Sequence, residues 1–141
     1  MKFKSLMIAA AVLTAVAVCQ DATQSVWDGV YTDAQAKRGE GAYSANCASC
    51  HGDQLTGGEM APPLAGGEFM SNWNGLTVGD LFDRIRTTMP ASRPGSLSRE
   101  VNADVVAYIL AFNKFPAGDK ELSHQSEVLK QIKLEAEKPK K

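Results

Sequence analysis

Two cysteines and a histidine stand within five residues, Cys47-Ala48-Ser49-Cys50-His51. Thiols three positions apart can reach the two vinyl groups on one edge of a porphyrin. A histidine directly after the second thiol then falls under the metal and offers one axial nitrogen. This C-x-x-C-H spacing is the attachment signature of c-type haem. Competing chemistries need more than the chain supplies. A zinc site wants four well-spaced ligands, and the leftover candidates, Cys19 and His124, lie far away in sequence. A thioredoxin-like C-x-x-C wants a βαβ frame, which the pattern does not show. A Cys47–Cys50 disulfide would close a tight, strained loop. One covalently bound haem c is therefore the expected cofactor, with Cys47 and Cys50 as its links and His51 as a ligand of its iron.

Haem chemistry turns on the sixth ligand. The candidates are Met60, Met70, Met89 and His124. Met89 stands 38 residues after His51, enough chain to reach the other haem face. It also sits at a helix end that Pro90 stiffens. Met60 comes only nine residues after His51, in a loop expected on the histidine side, and Met70 falls within the same flexible loop. His124 lies in the tail, where a solvated histidine is the default. A thioether is also a good filler of gaps, so packing competes with ligation at each methionine. Met89 is the expected ligand. A histidine–methionine pair closes both axial positions and raises the potential. That suits electron transfer better than oxygen or peroxide chemistry.

Several elements must position these groups. Thr32 or Asp33 caps a predicted helix over about 34–45, where Ala36, Gly39, Ala42 and Tyr43 recur at helical spacing. Two glycines in a helix need a reason, and close approach of another helix is the one expected. Residues 52–74 are rich in Gly and Pro and read as a long loop ordered by the haem face. Pro62, Pro63 and Leu64 are expected against the His51 side, where a backbone carbonyl would take the Nδ1 hydrogen and fix the tautomer. Trp73 is expected either to donate to a haem propionate or to serve as a core aromatic. Thr77 and Asp80 form a capping-box pattern before a helix over 78–88, with Leu81, Phe82, Ile85 and Met89 along one face. Arg84 or Arg86 could neutralise a propionate, though solvated charge is commoner. Ser98 caps a second strong helix over 99–112, striped by Val101, Val105, Tyr108, Ile109 and Phe112. This helix is expected to pack on the first one and cover a haem edge.

The ends of the chain carry different signals. Lys2 and Lys4 precede an apolar run, Leu6 to Val18, and Ala15-Val16-Ala17 is a small-x-small cleavage pattern. Residues 1–19 read as an export signal, too short for a convincing membrane span. Removing the two lysines takes the formal charge from −1 to −3. Export would place the body in an oxidising compartment, which suits thioether attachment after translocation. Cys19 closely follows the apolar run, but Val18 stands where a lipid-acceptor cysteine normally needs a small residue, so membrane anchoring is the minor alternative. Residues 20–31 read as a flexible segment, 32–118 as the haem domain and 119–141 as a charged tail. Leu122, Val128, Leu129, Ile132 and Leu134 are expected to fasten part of that tail, with 135–141 disordered. A composition of 44% hydrophobic and 22% charged residues is that of an ordinary globular domain, and the near-neutral charge leaves no footprint for nucleic acid.

Four stretches in this order carry a more specific likeness. They are Gly39…Tyr43…Cys47-x-x-Cys50-His51-Gly52, Pro62-Pro63-Leu64-Ala65-Gly66, Thr88-Met89-Pro90-Ala91 and Val106-Ala107-Tyr108-Ile109-Leu110. Over residues 31–115 the chain resembles the class I c-type cytochromes, small monohaem electron carriers of the bacterial envelope. The resemblance implies an all-α cytochrome c fold, three main helices and long loops around one haem. It implies thioethers on Cys47 and Cys50, axial His51 and Met89, and a Pro62 carbonyl that orients His51. It places Gly39 and Tyr43 against Tyr108 where the first and last helices cross. Pro116-Ala117-Gly118 also looks like cytochromes that accompany periplasmic dehydrogenases. The expected function is one-electron transfer between a dehydrogenase or respiratory complex and a terminal acceptor such as an oxidase. The alternatives are a haem sensor or peroxidase-like enzyme with an open sixth site, or a haem subunit of a larger dehydrogenase complex.

Overall fold

The computed structural model describes residues 24–140. The expected export signal and Cys19 lie outside the described residues. In chain order the elements are β1 (Gln24–Ser25), a 3-10 turn (Val26–Asp28), α1 (Asp33–Asn46), α2 (Ala48–His51), α3 (Gly66–Trp73), α4 (Val78–Thr88), α5 (Arg99–Phe112), α6 (Ser126–Leu129) and β2 (Ile132–Lys133). The fold is all-α, and its two strands are two residues each.

The three long helices start where capping chemistry sets them. Thr32 Oγ1 accepts the Gln35 N–H at 3.1 Å to open α1. Thr77 Oγ1 accepts the Asp80 N–H at 3.1 Å, while Asp80 Oδ2 accepts the Thr77 N–H at 2.9 Å, a reciprocal box that opens α4. Ser98 Oγ accepts the Val101 N–H at 3.2 Å to open α5. Helix α4 stops at Met89, whose N–H still reaches the Ile85 carbonyl at 2.9 Å, because Pro90 offers no N–H to continue the ladder.

Helices α1 and α5 cross at close range, with the Tyr43 and Tyr108 ring centroids 5.3 Å apart. Gly39 makes the approach possible, since a Cβ there would lie 1.8 Å from the Asp104 carbonyl oxygen. Gly41 has no such role and faces open space. Only one of the two helical glycines is thus explained by packing. Arg38 fastens the same crossing with two 3.0 Å bonds to Asp104 and a third, at 2.9 Å, to Glu121.

Three expectations are corrected. Residues 52–74 are not loop throughout, because the last eight before Asn74 form α3. Gly66 begins that helix rather than breaking it. Its φ of +81° suits glycine, and its N–H donates to Asn113 Oδ1 at 3.0 Å. Phe69, fully buried, and Trp73 then share one face with centroids 6.3 Å apart. Met70 accordingly lies on a helix.

The described part of the supposedly flexible segment 20–31 is packed. Val26 and Tyr31 are buried, and the Tyr31 hydroxyl donates to the Phe115 carbonyl at 2.6 Å. Trp27 sets its ring edge-on to Phe115 and donates its indole N–H to the Glu135 carbonyl at 2.9 Å.

The tail after Gly118 is a strap built into the core. Leu122, Leu129, Ile132 and Leu134 are buried in the single apolar cluster that also holds the helices. Val128, expected with them, is 46% exposed. Gln35, buried inside α1, answers both backbone groups of Leu122 with its amide. β2 lies parallel to β1, with Gln24 opposite Ile132. Order continues into the stretch expected to be disordered, where the Ala136 N–H donates to Asn74 Oδ1 at 2.8 Å.

Asp83 on α4 is the polar hub of the strap. It accepts the Ser126 hydroxyl at 2.6 Å and lies 3.6 Å from Lys130 Nζ. Burial raises its pKa, but Ser126, Lys130 and Arg86 outweigh that and hold the carboxyl below its usual value. A depressed carboxylate pKa contributes stability that is complete above the unfolded value and disappears as pH falls through the folded one. Melting of Asp83→Asn should therefore fall less steeply than that of the parent between about pH 5 and pH 3. Parallel acid profiles would show that Asp83 contributes nothing to the strap.

Candidate functional site

Cys47 ends α1 and begins the four-residue helix α2, which carries Cys50 and His51. The abrupt hand-over places His51 inside, 6% exposed, and Cys50 outside, while Cys47 is half-buried against the core. Both thiols are free. Burial pushes the Cys47 thiol up to about 11.

His51 is held on every side. Its Nδ1–H donates to the Pro62 carbonyl at 2.8 Å, since a carbonyl can only accept. The proton is thereby fixed on Nδ1, and Nε2 keeps its lone pair for a metal. Its own carbonyl accepts the Gly57 N–H at 2.9 Å. The Tyr43 hydroxyl donates to the next carbonyl, Gly52, at 2.7 Å. Tyr43 is raised in pKa by burial and by Cys47, and remains a phenol donor.

The loop that brings Pro62 has its own supports. Leu55 is fully buried despite a left-handed φ of +56°, and its carbonyl accepts the Leu64 N–H at 2.8 Å. Asn113, at the end of α5, donates to the Leu64 carbonyl at 3.0 Å while accepting from Gly66. Tyr43, Leu55 and Asn113 are thus positioning residues that the motif alone did not reveal. A large apolar residue in a Gly-rich polar stretch, Gly52-Asp53-Gln54-Leu55-Thr56-Gly57-Gly58-Glu59, was the available signal for Leu55. Asn113 left none, because its partners lie almost fifty residues away.

Leu64, Trp73 and Met89 are each half-buried against the same core as Cys47. The Trp73 indole N–H makes no hydrogen bond among the described residues. Met89 is the C-cap of α4. Met70 also touches the core, whereas Met60 is 92% exposed. His124 is exposed and lies 3.7 Å from Glu100. Arg86 is turned toward Asp83 at 3.5 Å, and its Nε is buried without a partner. A cleft of about 510 Å³ lined by residues 56–63 and Glu68 includes none of Cys47, Cys50, His51 or Met89.

This donor set fits haem. Among the described residues no three His, Cys, Asp or Glu side chains converge to hold a bare metal ion. One buried imidazole with a fixed tautomer, beside two free thiols at haem-link spacing, suits an iron that brings its own equatorial nitrogens.

Helices crossing at Gly39, a short helix presenting His51 and a methionine-capped α4 define a class I c-type cytochrome, with covalently bound haem c as its iron cofactor. Residues 34–109 match the family model described as cytochrome C oxidase, cbb3-type, subunit III, and the chain belongs to that family of c-type cytochrome domains. Its coarse function is electron transfer through c-type haem. The crystal structure of the sulfane dehydrogenase SoxCD from Paracoccus pantotrophus contains a similar chain. The two share 26% identity and a TM-score of 0.54 over 77% of this chain and 61% of that one. This chain therefore spans about three fifths of that relative. No curated protein sequence matches it.

Proposed function

We propose that the chain is a one-electron carrier rather than an enzyme, with His51 and Met89 as the axial pair. The observation that carries this is the fixed His51 tautomer, Nδ1–H on the Pro62 carbonyl at 2.8 Å, in a buried site. It makes Nε2 a permanent donor rather than a proton shuttle. Met89 is the α4 C-cap and packs on the core, which supports assigning it as the second donor. Bound haem would supply a one-electron couple, and the His51 imidazole and Met89 thioether would hold its iron in both oxidation states, the sulfur favouring the reduced one. The chain's own residues keep His51 from turning, shield it from water and supply the second donor. The expected setting is the periplasm, with electrons drawn from a dehydrogenase or respiratory complex and passed to an oxidase or another cytochrome. The contact would be small and brief.

A second reading, a haem subunit fixed to a dehydrogenase, draws on the SoxCD likeness. Stopped-flow mixing of the reduced protein with an oxidised c-type cytochrome, and separately with hydrogen peroxide, tests the carrier proposal. Fast electron exchange with the cytochrome and slow reaction with peroxide are expected. The reverse order of rates would sink the carrier role in favour of a peroxidase-like one. Stable co-purification with a dehydrogenase would favour the subunit reading.

A further inference from the structure

Helix α4 ends on Met89, and much of what fixes α4 comes from the chain after Gly118. The helix packs on both α5 and α6. At its entry, Lys133 bridges Thr77, the Leu134 N–H donates to the Leu76 carbonyl, and the Gly75 N–H donates to the Leu134 carbonyl, the last two at 2.8 Å. One turn further, Gly79 lets the strap's backbone lie against the helix, since a Cβ there would come within 2.7 Å of the Lys130 nitrogen. Near mid-helix the Ser126 hydroxyl donates to Asp83 Oδ1 at 2.6 Å, with Lys130 Nζ 3.6 Å from Oδ2. Asp83 precedes Met89 by six residues. That is about 9 Å of helix rise, too far for the strap contacts at Asp83 to act on the sulfur except through the helix.

An eleven-residue helix is marginal by itself, and a donor at its end is only as well placed as the helix that carries it. α5 holds one part of α4 and the strap holds another. We propose that residues 119–136 form a positioning element for Met89, acting through Gly79 and Asp83 to hold α4 and so to slow replacement of the sulfur by outside ligands. The proposal rests on Met89 as the sixth ligand. It gives the charged extension a role in the redox site although Ser126 and Lys130 bond to Asp83, not to Met89.

The test uses the oxidised holoprotein, with Ser126→Ala and Gly79→Ala as variants. Three quantities are read: the methionine-to-ferric-iron charge-transfer band, the rate of imidazole binding by stopped flow, and the melting temperature. Ser126→Ala, which removes one hydrogen bond to a carboxylate, should speed imidazole binding about tenfold and weaken the band on mild heating. Gly79→Ala should do more, and Ser126→Thr should restore the parent rate. Where Gly79→Ala fails to fold, the Ser126 pair decides. Lower melting temperatures with an unchanged band and imidazole rate would overturn the proposal, leaving the strap as a general stabiliser. Absence of the band from the parent protein, with immediate imidazole binding, would overturn Met89 ligation first and the strap's role with it.

Discussion

Met89→Ala should lower the midpoint potential by something on the order of a hundred millivolts, a modest part of the roughly 0.8 V over which axial ligation moves haem proteins. The thioether is a soft donor that favours ferrous iron. If it is the proposed sixth ligand, its loss would let water or an added ligand take the position, and the reduced state would lose its advantage. The fold should survive. Met89 is only half-buried, and its N–H bond to Ile85 uses backbone alone. Carbon monoxide should then bind the reduced variant readily. Two controls sharpen the result. Met70→Ala, on α3, removes a thioether that also touches the core and should leave the potential nearly unchanged. Met60→Ala should change nothing, since that side chain stands in solvent. A potential that drops in Met70→Ala and holds in Met89→Ala would move the ligand to α3.

The second large effect is expected at the helix crossing. Gly39→Val places a Cβ 1.8 Å from the Asp104 oxygen and 2.9 Å from the Tyr108 Cβ. The nearest obstacle is helix backbone, which has no rotamer by which to retreat. The helices must separate, and the Tyr43–Tyr108 contact opens with them. Overpacking of this kind costs about 3 kcal/mol or more. Against a typical domain stability of about 5–15 kcal/mol, that is a melting temperature lower by on the order of 10 °C. The same helix supplies the control. Gly41 faces open space, so Gly41→Ala should stabilise by about 0.5–1 kcal/mol through helix propensity. Thermal melts of the two haem-loaded variants should move in opposite directions. A shift in the same direction for both would contradict the crossing geometry.

Local signals in the chain read well because the structure they encode is local. The caps at Thr32, Thr77 and Ser98 act within three residues, and the predicted helices over 78–88 and 99–112 match the observed spans. Gly39 was legible because a helical glycine demands a cause. Gly41, read by the same rule, has no packing cause. The failures share one reason, which is partnership across long sequence distances. Trp27 finds its acceptor at Glu135, Gln35 finds both of its partners at Leu122, and Gly66 finds Asn113. In the tail, Leu122, Leu129, Ile132 and Leu134 were legible as apolar fasteners, whereas the lysines and glutamates after them made 135–141 read as disordered, and the bond from Ala136 to Asn74 lies 62 positions away in sequence. At the site, the motif pointed to Cys47, Cys50 and His51 by spacing alone. The clamp of Tyr43, Leu55 and Asn113 around the Pro62 loop required the folded chain.

A sensor or peroxidase-like enzyme would need an open or easily displaced sixth position, and a carrier needs a closed one. That difference is what absorption spectra of the holoprotein read, oxidised and reduced, with and without carbon monoxide. A low-spin c-type spectrum, a methionine-to-ferric-iron charge-transfer band and no response to carbon monoxide are expected for a closed His51–Met89 pair. A high-spin spectrum that shifts promptly when carbon monoxide is added would show that Met89 does not hold the iron, and would contradict the carrier at its centre.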